Sequence, residues 1–170
     1  GVTKATIEKL LKDVYESDPK SWKIACLRYF NPVGAHKSGL IGEDPLNNPN
    51  NIFPILNRVA SGKISKLSVY GNDWPTKDGT GVRDYIHIMD LAEGHVLTLN
   101  YLLNVESKFI TLNLGTGIGY SVFELIQTFE EVNNVKIPFS IEGRREGDVS
   151  RVVADSNLAK KLLKWTPKRD

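Results

Sequence analysis

Residues 23–30 read KIACLRYF, an almost unbroken apolar run. The run is too short for an ordinary helix and too continuous for a half-exposed strand, so it predicts a strand buried on both faces. Upstream of it, Ile7, Leu10, Leu11 and Val14 recur at the spacing of one apolar helical face. A helix followed by such a strand is typical of a parallel α/β sheet.

The alternation of helices and strands continues along the rest of the chain. Ser121 and Glu124 have the spacing of a capping box, which predicts the start of a helix. Two long polar loops, residues 31–51 and 71–81, interrupt the pattern, and loops of that length usually carry function. The other periodic segments predict helices at 51–59, 90–103, 121–133 and 155–164 and strands at 66–70, 82–87, 109–114 and 136–141.

Composition places the chain among ordinary globular proteins. Its 170 residues are 41% hydrophobic, and 22 Lys and Arg balance 20 Asp and Glu in an interspersed pattern. That pattern argues against a basic stripe for nucleic acid and a polybasic membrane patch, and no apolar stretch reaches the ~20 residues that span a bilayer. The single cysteine, Cys26, excludes an intramolecular disulfide and is expected to be a buried apolar residue. We expect a cytoplasmic protein.

Several chemistries find no support in the sequence. His36, His87 and His95 have no metal-ligand spacing and no cysteine partner, so no metal site is predicted. There is no G-x-S-x-G turn of the kind that carries an acyl-transfer serine. The run from Gly115 to Tyr120 follows a strand and precedes a helix, but Tyr120 stands where a dinucleotide fingerprint needs its third glycine. A tight strand-to-helix turn is the better interpretation.

Anion-binding side chains occur in the loops. Arg83 adjoins Asp84, and the run 144–148 reads RREGD directly after a predicted strand. Guanidinium groups on loops bind phosphate bidentately, and the asparagines Asn31 and Asn51 are uncharged donors suited to sugars or phosphates. From these residues alone, diphosphate binding and an ordinary solvated charged surface both remain open.

Longer motifs carry a family resemblance. In order and spacing they resemble UDP-glucose 4-epimerases, within the extended short-chain dehydrogenase/reductase superfamily, and the first and fourth are the most specific. The motifs are RYFNPVGAH (28–36), GEDP (42–45), PNNI (49–52), DGTGVRDYIH (78–87) and RREGD (144–148).

The resemblance implies an α/β fold: the C-terminal part of a Rossmann-like NAD-binding fold plus the small α/β substrate-binding domain. Residues 1–31 and 88–119 correspond to the NAD-binding part, and residues 32–87 and 120–170 to the UDP-sugar domain. Relative to the family, the chain is truncated at both ends. The glycine-rich NAD loop and the catalytic tyrosine would precede residue 1, so we expect this chain to be inactive alone and to expose the surface around residues 24–29.

The implied activity is the interconversion of UDP-galactose and UDP-glucose in galactose metabolism, through a 4-keto intermediate and with NAD as cofactor. Lys4 matches the catalytic lysine, which hydrogen-bonds the nicotinamide ribose and tunes the tyrosine. Tyr29 and Pro32 match positions that line the nicotinamide pocket. The family often dimerises through Rossmann helices, including the one that starts near Lys4, so a homodimer is expected of the full-length protein.

Substrate-binding positions are also implied by the resemblance. Where the family carries a tyrosine beside the hexose, or a cysteine or serine that leaves room for an N-acetyl group, this chain has Val152. Valine is closer in volume to cysteine, which predicts tolerance of UDP-N-acetylhexosamines. The matched positions are Asn31 for the diphosphate, Asn51 and Ile52 near the phosphates, Ser68 and Tyr70 for uracil, Arg83 and Arg145 on the diphosphate, Asp148 on the uridine ribose and Val152 beside the hexose.

Two alternatives remain. One is another NAD-dependent nucleotide-sugar epimerase, dehydratase or decarboxylase, against which the runs 31–34 and 80–84 argue. The other is a non-catalytic UDP-sugar-binding module.

Overall fold

The chain forms two compact units in a computed structural model that describes residues 1–47 and 49–169. Unit 1 comprises Gly1–Pro32, Ile86–Gly117 and residues 154–169, and unit 2 comprises Val33–Tyr85 and Ile118–Val153. Asn48 and Asp170 fall inside the predicted domain ranges but lie outside the described residues. The assignment of the units to NAD and to substrate stays a prediction.

Helices and strands alternate along the described chain, as the periodicity predicts. The helices are α1 (Val2–Ser17), α2 (Ile52–Ala60), α3 (Ile88–Leu103), α4 (Val122–Asn133) and α5 (Asn157–Leu163). The strands are β1 (Lys23–Tyr29), β2 (Asn31–Val33), β3 (Leu67–Tyr70), β4 (Val82–Arg83), β5 (Tyr85–His87), β6 (Lys108–Leu114), β7 (Tyr120–Ser121), β8 (Phe139–Glu142) and β9 (Arg151–Val152).

Unit 1 is built on the parallel pairing of β1 with β6, in register from Lys23↔Lys108 to Tyr29↔Leu114. This pairing confirms the predicted α/β class. The apolar run 23–30 is not buried on both faces as its pattern predicts: within β1 only Cys26 is buried. The exposure that the resemblance predicts around residues 24–29 is present at Arg28 and at Tyr29, which is 56% exposed. Among the described residues β1 pairs with one strand only, β6, so its other edge is uncovered and the sheet is too narrow to bury the strand fully.

The C-terminal segment belongs to unit 1, whereas the sequence-based division placed it with the substrate domain. The indole Nε1 of Trp165 donates to the carbonyl of Asp90 at 3.0 Å, and the Asp90 carboxylate accepts from the backbone of Lys168 at 2.9 Å. These two hydrogen bonds to Asp90 hold the segment against α3. The core of unit 1 is Ile86, Leu91, Ile110, Leu112, Leu114, Ala159, Leu163 and Trp165.

Unit 2 contains a parallel pair, β3 with β8, and a three-stranded sheet in the order β7-β4-β9. The predicted strand 82–87 is split into β4 and β5, with Asp84 between them donating its N–H to Val152 at 3.0 Å. The predicted capping box of α4 is present, with both Ser121 and Glu124 making its hydrogen bonds. The core of unit 2 is Leu56, Val59, Leu67, Val69, Ile126 and Ile137.

Among the described residues, no helix is both long enough and apolar enough to span a membrane. Cys26 is a free, buried thiol, as the apolar run around it predicts, and burial raises its pKa.

Candidate functional site

Two arginines and one aspartate form a charged cluster in unit 2. The Nε of Arg145 donates to Oδ2 of Asp148 at 3.1 Å, and Nη2 of Arg83 lies 3.9 Å from Oδ1 of the same carboxylate. Arg83 reaches the cluster from β4, where its Nη1 also donates to the backbone carbonyl of Val82 at 2.9 Å. One carboxylate shared by two guanidinium groups leaves a net positive charge, which suits a bound anion. We call these three residues the arginine cluster.

An aromatic ring borders the arginine cluster. The guanidinium carbon of Arg145 lies 4.6 Å from the centre of the Tyr70 ring, within cation–π range. Tyr70 ends β3 and is 41% exposed, and Ser68 lies on the same face of this strand two residues earlier. The structure therefore brings the predicted uracil strand next to a predicted diphosphate arginine.

Two glycines shape the loop that follows Tyr70. Gly71 and Gly79 both have φ of +81°, a conformation that favours glycine. A Cβ at Gly79 would lie 2.0 Å from the carbonyl oxygen of Asn72, so no other residue fits there. The carbonyl of Gly79 also accepts from the backbone of Trp74 at 2.9 Å, which closes the loop.

The next part of this loop is anchored to the start of α4. Oδ1 of Asp78 accepts the backbone and hydroxyl hydrogens of Thr80, both at 2.8 Å, while Oδ2 accepts from the Ser121 hydroxyl. Thr80 is fully buried, and its hydroxyl in turn accepts from the backbone of Val122 at 3.1 Å. Burial opposes ionisation of Asp78, but these hydrogen bonds outweigh it and lower its pKa. The network holds the chain directly before Arg83.

Arg144 forms a second stacked contact that the sequence does not reveal. Its guanidinium carbon lies 4.0 Å from the centre of the Trp74 ring, and its Nε donates to Asp73 at 2.8 Å. The hydrogen bond from Arg144 lowers the pKa of the Asp73 carboxyl. The doublet of arginines at 144 and 145 was visible in the sequence, but nothing there assigned an aromatic partner to each.

Val152 lies beside the arginine cluster through strand pairing. In the parallel register of β4 with β9 it is the partner of Arg83, and it is 37% exposed.

Tyr85, on β5, packs edge-on against Phe53, and burial raises the pKa of its phenol to about 12. A phenol with that pKa stays protonated at neutral pH.

Asn51 and Ile52 begin α2, as the sequence predicts. Asn51 is the N-cap, but its side-chain amide donates to Oε1 of Glu43 at 2.6 Å and makes no capping hydrogen bond. Ile52, the first helical residue, is half-buried. The structure thus pairs Asn51 with a carboxylate and does not place it in the arginine cluster.

The positions predicted to contact the cofactor lie in unit 1, together with Asn31, which the resemblance assigns to the diphosphate. Lys4 is exposed on the first turn of α1, and Tyr29 at the end of β1 packs against His95 with ring centres 6.2 Å apart. Asn31 is exposed and Pro32 half-buried on β2. These four side chains lie on three different elements, and no hydrogen bond joins any two of them among the described residues.

The glycine turn after β6 is filled by the protein itself. The Ser156 hydroxyl accepts from the N–H of Gly115 at 3.2 Å and donates to its carbonyl at 2.9 Å. The Gly115 N–H is therefore already bonded within the chain. The sequence predicts a tight turn directly from strand to helix, whereas the short strand β7 lies between this glycine run and α4.

The histidines make local hydrogen bonds. His36 bonds the Ser38 hydroxyl at 2.8 Å, His87 caps α3 by accepting from Met89 at 3.1 Å, and His95 bonds the carbonyl of Leu91 at 2.9 Å. Over residues 1–47 and 49–169, no three His, Cys, Asp or Glu side chains form a group that could hold a metal ion.

Comparison with known families gives a match along the entire sequence. Residues 1–170 match the model of the family described as GDP-mannose 4,6 dehydratase. The chain belongs to this family. The match supports the extended short-chain dehydrogenase/reductase fold that the resemblance predicted.

Individual relatives are UDP-glucose 4-epimerases, as the resemblance predicted. The chain is 54% identical to that of Drosophila melanogaster over 99% of its own length and 48% of the relative's. The epimerase structure from Stenotrophomonas maltophila, with bound NAD and formylated UDP-arabinopyranose, has a TM-score of 0.93 and 49% identity, covering 98% of this chain and 49% of that one. The Bifidobacterium longum epimerase, in complex with NAD+ and UDP, has a TM-score of 0.90 and 47% identity, covering 96% and 48%. The chain spans about half the length of these relatives.

Proposed function

We propose that this chain carries the uridine diphosphate site of an NAD-dependent UDP-glucose 4-epimerase that interconverts UDP-galactose and UDP-glucose. The observation that carries the proposal is the arginine cluster beside the exposed Tyr70 ring. Relatives that are about half identical to the chain over nearly its whole length are UDP-glucose 4-epimerases, and one of their structures contains UDP.

The arginine cluster fits a diphosphate in charge and geometry. The diphosphate of a nucleotide sugar carries two negative charges, and Arg83 and Arg145 supply two planar guanidinium groups that bind phosphate oxygens in pairs. Asp148 already orients both of them, so less side-chain freedom is lost when the ligand binds. Tyr70 offers an apolar ring face to uracil, with Ser68 as a polar neighbour on the same strand face. Asn31, Asn51 and Ile52 stay in the proposal as further phosphate contacts.

The hexose is held less firmly than the nucleotide in this proposal. Epimerisation at C4 requires the sugar to present both faces to the hydride donor, so firm sugar contacts in one orientation would oppose the reaction. Val152, exposed beside Arg83, offers an apolar surface without a hydrogen-bonding group. The volume it leaves, compared with a tyrosine, is the reason to extend the substrate range to UDP-N-acetylhexosamines.

The residues of unit 1 fit one end of the cofactor. A lysine amine at Lys4 suits the ribose hydroxyls, and the exposed Tyr29 ring with Pro32 suits the nicotinamide. When bound, NAD supplies the hydride acceptor and donor. Lys4 would orient the ribose and favour the ionised form of a neighbouring phenol through its positive charge. The tyrosine that supplies this phenol in the family has no counterpart in residues 1–170, so the chain alone is expected to form no product from UDP-galactose and NAD.

The proposal also covers the cellular location and the assembly of the protein. We place it in the cytoplasm because its single cysteine is a buried free thiol. A homodimer, formed through helices that include α1, and a Rossmann half beyond this sequence complete the proposed enzyme. A dehydratase or decarboxylase of the same superfamily and a non-catalytic UDP-sugar module are the competing functions.

Calorimetric titration of the chain with UDP-glucose tests the proposal. Replacing Arg145 by alanine removes a charge-assisted hydrogen-bond donor and should weaken binding about 10- to 100-fold. Arg28→Ala is the matched control, because Arg28 is equally exposed (57% against 54%) and also paired with one carboxylate, that of Glu8. Equal affinity of the wild type and Arg145→Ala would contradict the proposal.

A further inference from the structure

Two consecutive arginines follow β8 and stack on two different aromatic rings of unit 2. Arg144 lies over Trp74 at 4.0 Å and Arg145 over Tyr70 at 4.6 Å. Only Arg145 belongs to the arginine cluster, through its hydrogen bond to Asp148. The two neighbours therefore occupy different environments, although they are chemically identical.

Arg144 is committed to the loop that follows β3. Its Nε donates to the carboxylate of Asp73 at 2.8 Å and its Nη2 to the carbonyl of the same residue at 2.6 Å. Together with the stacking on Trp74, these bonds use one edge and one face of the guanidinium plane. We call Asp73, Trp74 and Arg144 the loop clamp.

The loop clamp joins the end of β3 to the end of β8. The indole Nε1 of Trp74 donates to the carbonyl of Tyr70 at 3.4 Å, and the N–H of Gly71 donates to Glu142 at 2.9 Å. A Cβ at Gly71 would lie 2.7 Å from the Trp74 Nε1 and 2.9 Å from Cγ of Arg144, so the clamp closes directly onto this glycine. The backbone at residue 144 is thereby held against the strand that ends in Tyr70.

We propose that Arg144 is a positioning residue for uridine diphosphate recognition, which acts by holding Arg145 over Tyr70 and beside Asp148. The inference rests on the proposed function, because it assigns a role in binding that ligand. Arg145 follows Arg144 directly, so fixing the backbone and side-chain direction at 144 limits the orientations open to 145. The planar fork and stacking surface are both needed, and a lysine provides neither.

Two measurements on the full 170-residue chain test this role. The first is the NMR chemical shift of the Arg145 Nε–H and Cδ protons without ligand, which the Tyr70 ring current displaces while Arg145 stacks on it. The second is the Kd for UDP by calorimetry. The variants are Arg144→Met, which keeps the aliphatic stem, and Arg144→Lys, which keeps the charge, with Arg28→Met as the control at another exposed, carboxylate-paired arginine.

A positioning role predicts that both Arg144 variants lose the ring-current displacement and bind UDP about tenfold more weakly, the effect of one misplaced charge-assisted hydrogen bond. Because Arg144 acts through Arg145, the double variant Arg144→Met/Arg145→Ala should bind within about twofold of Arg145→Ala. Full affinity in Arg144→Lys, or additive losses in the double variant, would indicate a direct charge contact and overturn the proposal.

The two readouts separate this inference from the proposed function. A displacement that persists in Arg144→Met overturns the positioning role, whatever the affinity for UDP. If Arg144→Met loses the ring-current displacement of the Arg145 protons but binds UDP with unchanged affinity, the position of Arg145 does not matter for binding and the proposal is overturned. If the wild-type chain binds no UDP, the proposed site in this chain fails and the role in UDP recognition fails with it, while the NMR shift still decides whether Arg144 holds Arg145.

Discussion

The proposed nucleotide residues of unit 2 and the proposed cofactor residues of unit 1 are held in different ways. Arg83 and Arg145 share the Asp148 carboxylate, and the loop before Arg83 is tied to α4 by hydrogen bonds through the Asp78 carboxylate. By contrast, Lys4 is exposed on α1 and Tyr29 is 56% exposed on β1. Contacts within this sequence thus organise the nucleotide residues before any ligand arrives, and they leave the cofactor residues on an exposed surface.

The difference has an energetic consequence. Ordering a long, flexible side chain on binding costs about 0.5–1.5 kcal/mol, and a side chain that is already ordered avoids that cost. The arginine cluster is ordered in this sense, because each guanidinium group has a carboxylate partner. We therefore expect uridine diphosphate to bind this chain, and the predictions below perturb one unit at a time.

The largest effect is expected from Gly79→Ala. The substitution places a Cβ 2.0 Å from the carbonyl of Asn72 at a residue with φ of +81°, so the loop cannot keep its conformation. The carbonyl of Gly79 would also release Trp74, whose ring supports Arg144. We expect a loss of about 3 kcal/mol or more in unfolding free energy and loss of detectable UDP binding, measured by urea unfolding and calorimetry.

The control for Gly79→Ala is Gly62→Ala, in the turn after α2. Gly62 has φ of +72° but open space around it, so the substitution adds backbone strain of about 1–2 kcal/mol without a collision. UDP binding should survive in this variant. Equal effects of the two substitutions on UDP binding would show that the loop after β3 has no special role in the site.

An intermediate effect is expected from Asp90→Asn in unit 1. The buried Asp90 carboxylate pairs with Arg169 and accepts from the backbone N–H groups of Lys168 and Arg169. Burial opposes its ionisation, but these hydrogen bonds outweigh it and lower its pKa. Loss of the charge should reduce the unfolding free energy by about 2 kcal/mol at neutral pH, without weakening UDP binding to the folded chain.

The pH dependence of the difference in unfolding free energy between the wild type and Asp90→Asn identifies the cause of that difference. A carboxyl with a lowered native pKa contributes its full stability above the unfolded pKa of about 4, and the contribution disappears as the pH falls through the native value. The unfolding free energies of the wild type and Asp90→Asn in urea should therefore converge progressively as the pH falls below the unfolded pKa of about 4. Asp13→Asn, on the exposed face of α1, should stay close to the wild type throughout. A constant gap between wild type and Asp90→Asn would exclude the charge as the cause.

Periodicity predicted most helices and strands of the fold, because amphipathic helices and apolar strands are local patterns. It failed for the burial of 23–30, since an apolar composition does not specify how many strands pair with β1. It also failed at Asp84, where a hydrogen bond to Val152, 68 residues away in sequence, divides the predicted strand. Both failures concern contacts between segments that are distant in the chain.

Sequence-based prediction of the site fails in the same way, at contacts between segments that are distant in the chain. Arg83, Arg145 and Asp148 could be named from motifs, and the structure joins them through one carboxylate. Asn51 was named in the same way, yet its amide bonds Glu43. The stacking of Arg144 on Trp74 could not be predicted, because the two residues are 70 positions apart in the sequence.

The smallest effect is expected from Val152→Tyr, which acts on the sugar and not on the nucleotide. Val152 is 37% exposed and pairs with Arg83 through β9, so a larger side chain can extend from the sheet without disturbing the core. We expect the ratio of Kd values for UDP-N-acetylglucosamine and UDP-glucose to rise about fivefold, roughly 1 kcal/mol, while the Kd for UDP stays within twofold. Val132→Tyr, on the exposed surface of α4, is the control. An unchanged ratio in Val152→Tyr would remove Val152 from the hexose pocket, whereas a parallel loss of UDP affinity would place it against the nucleotide.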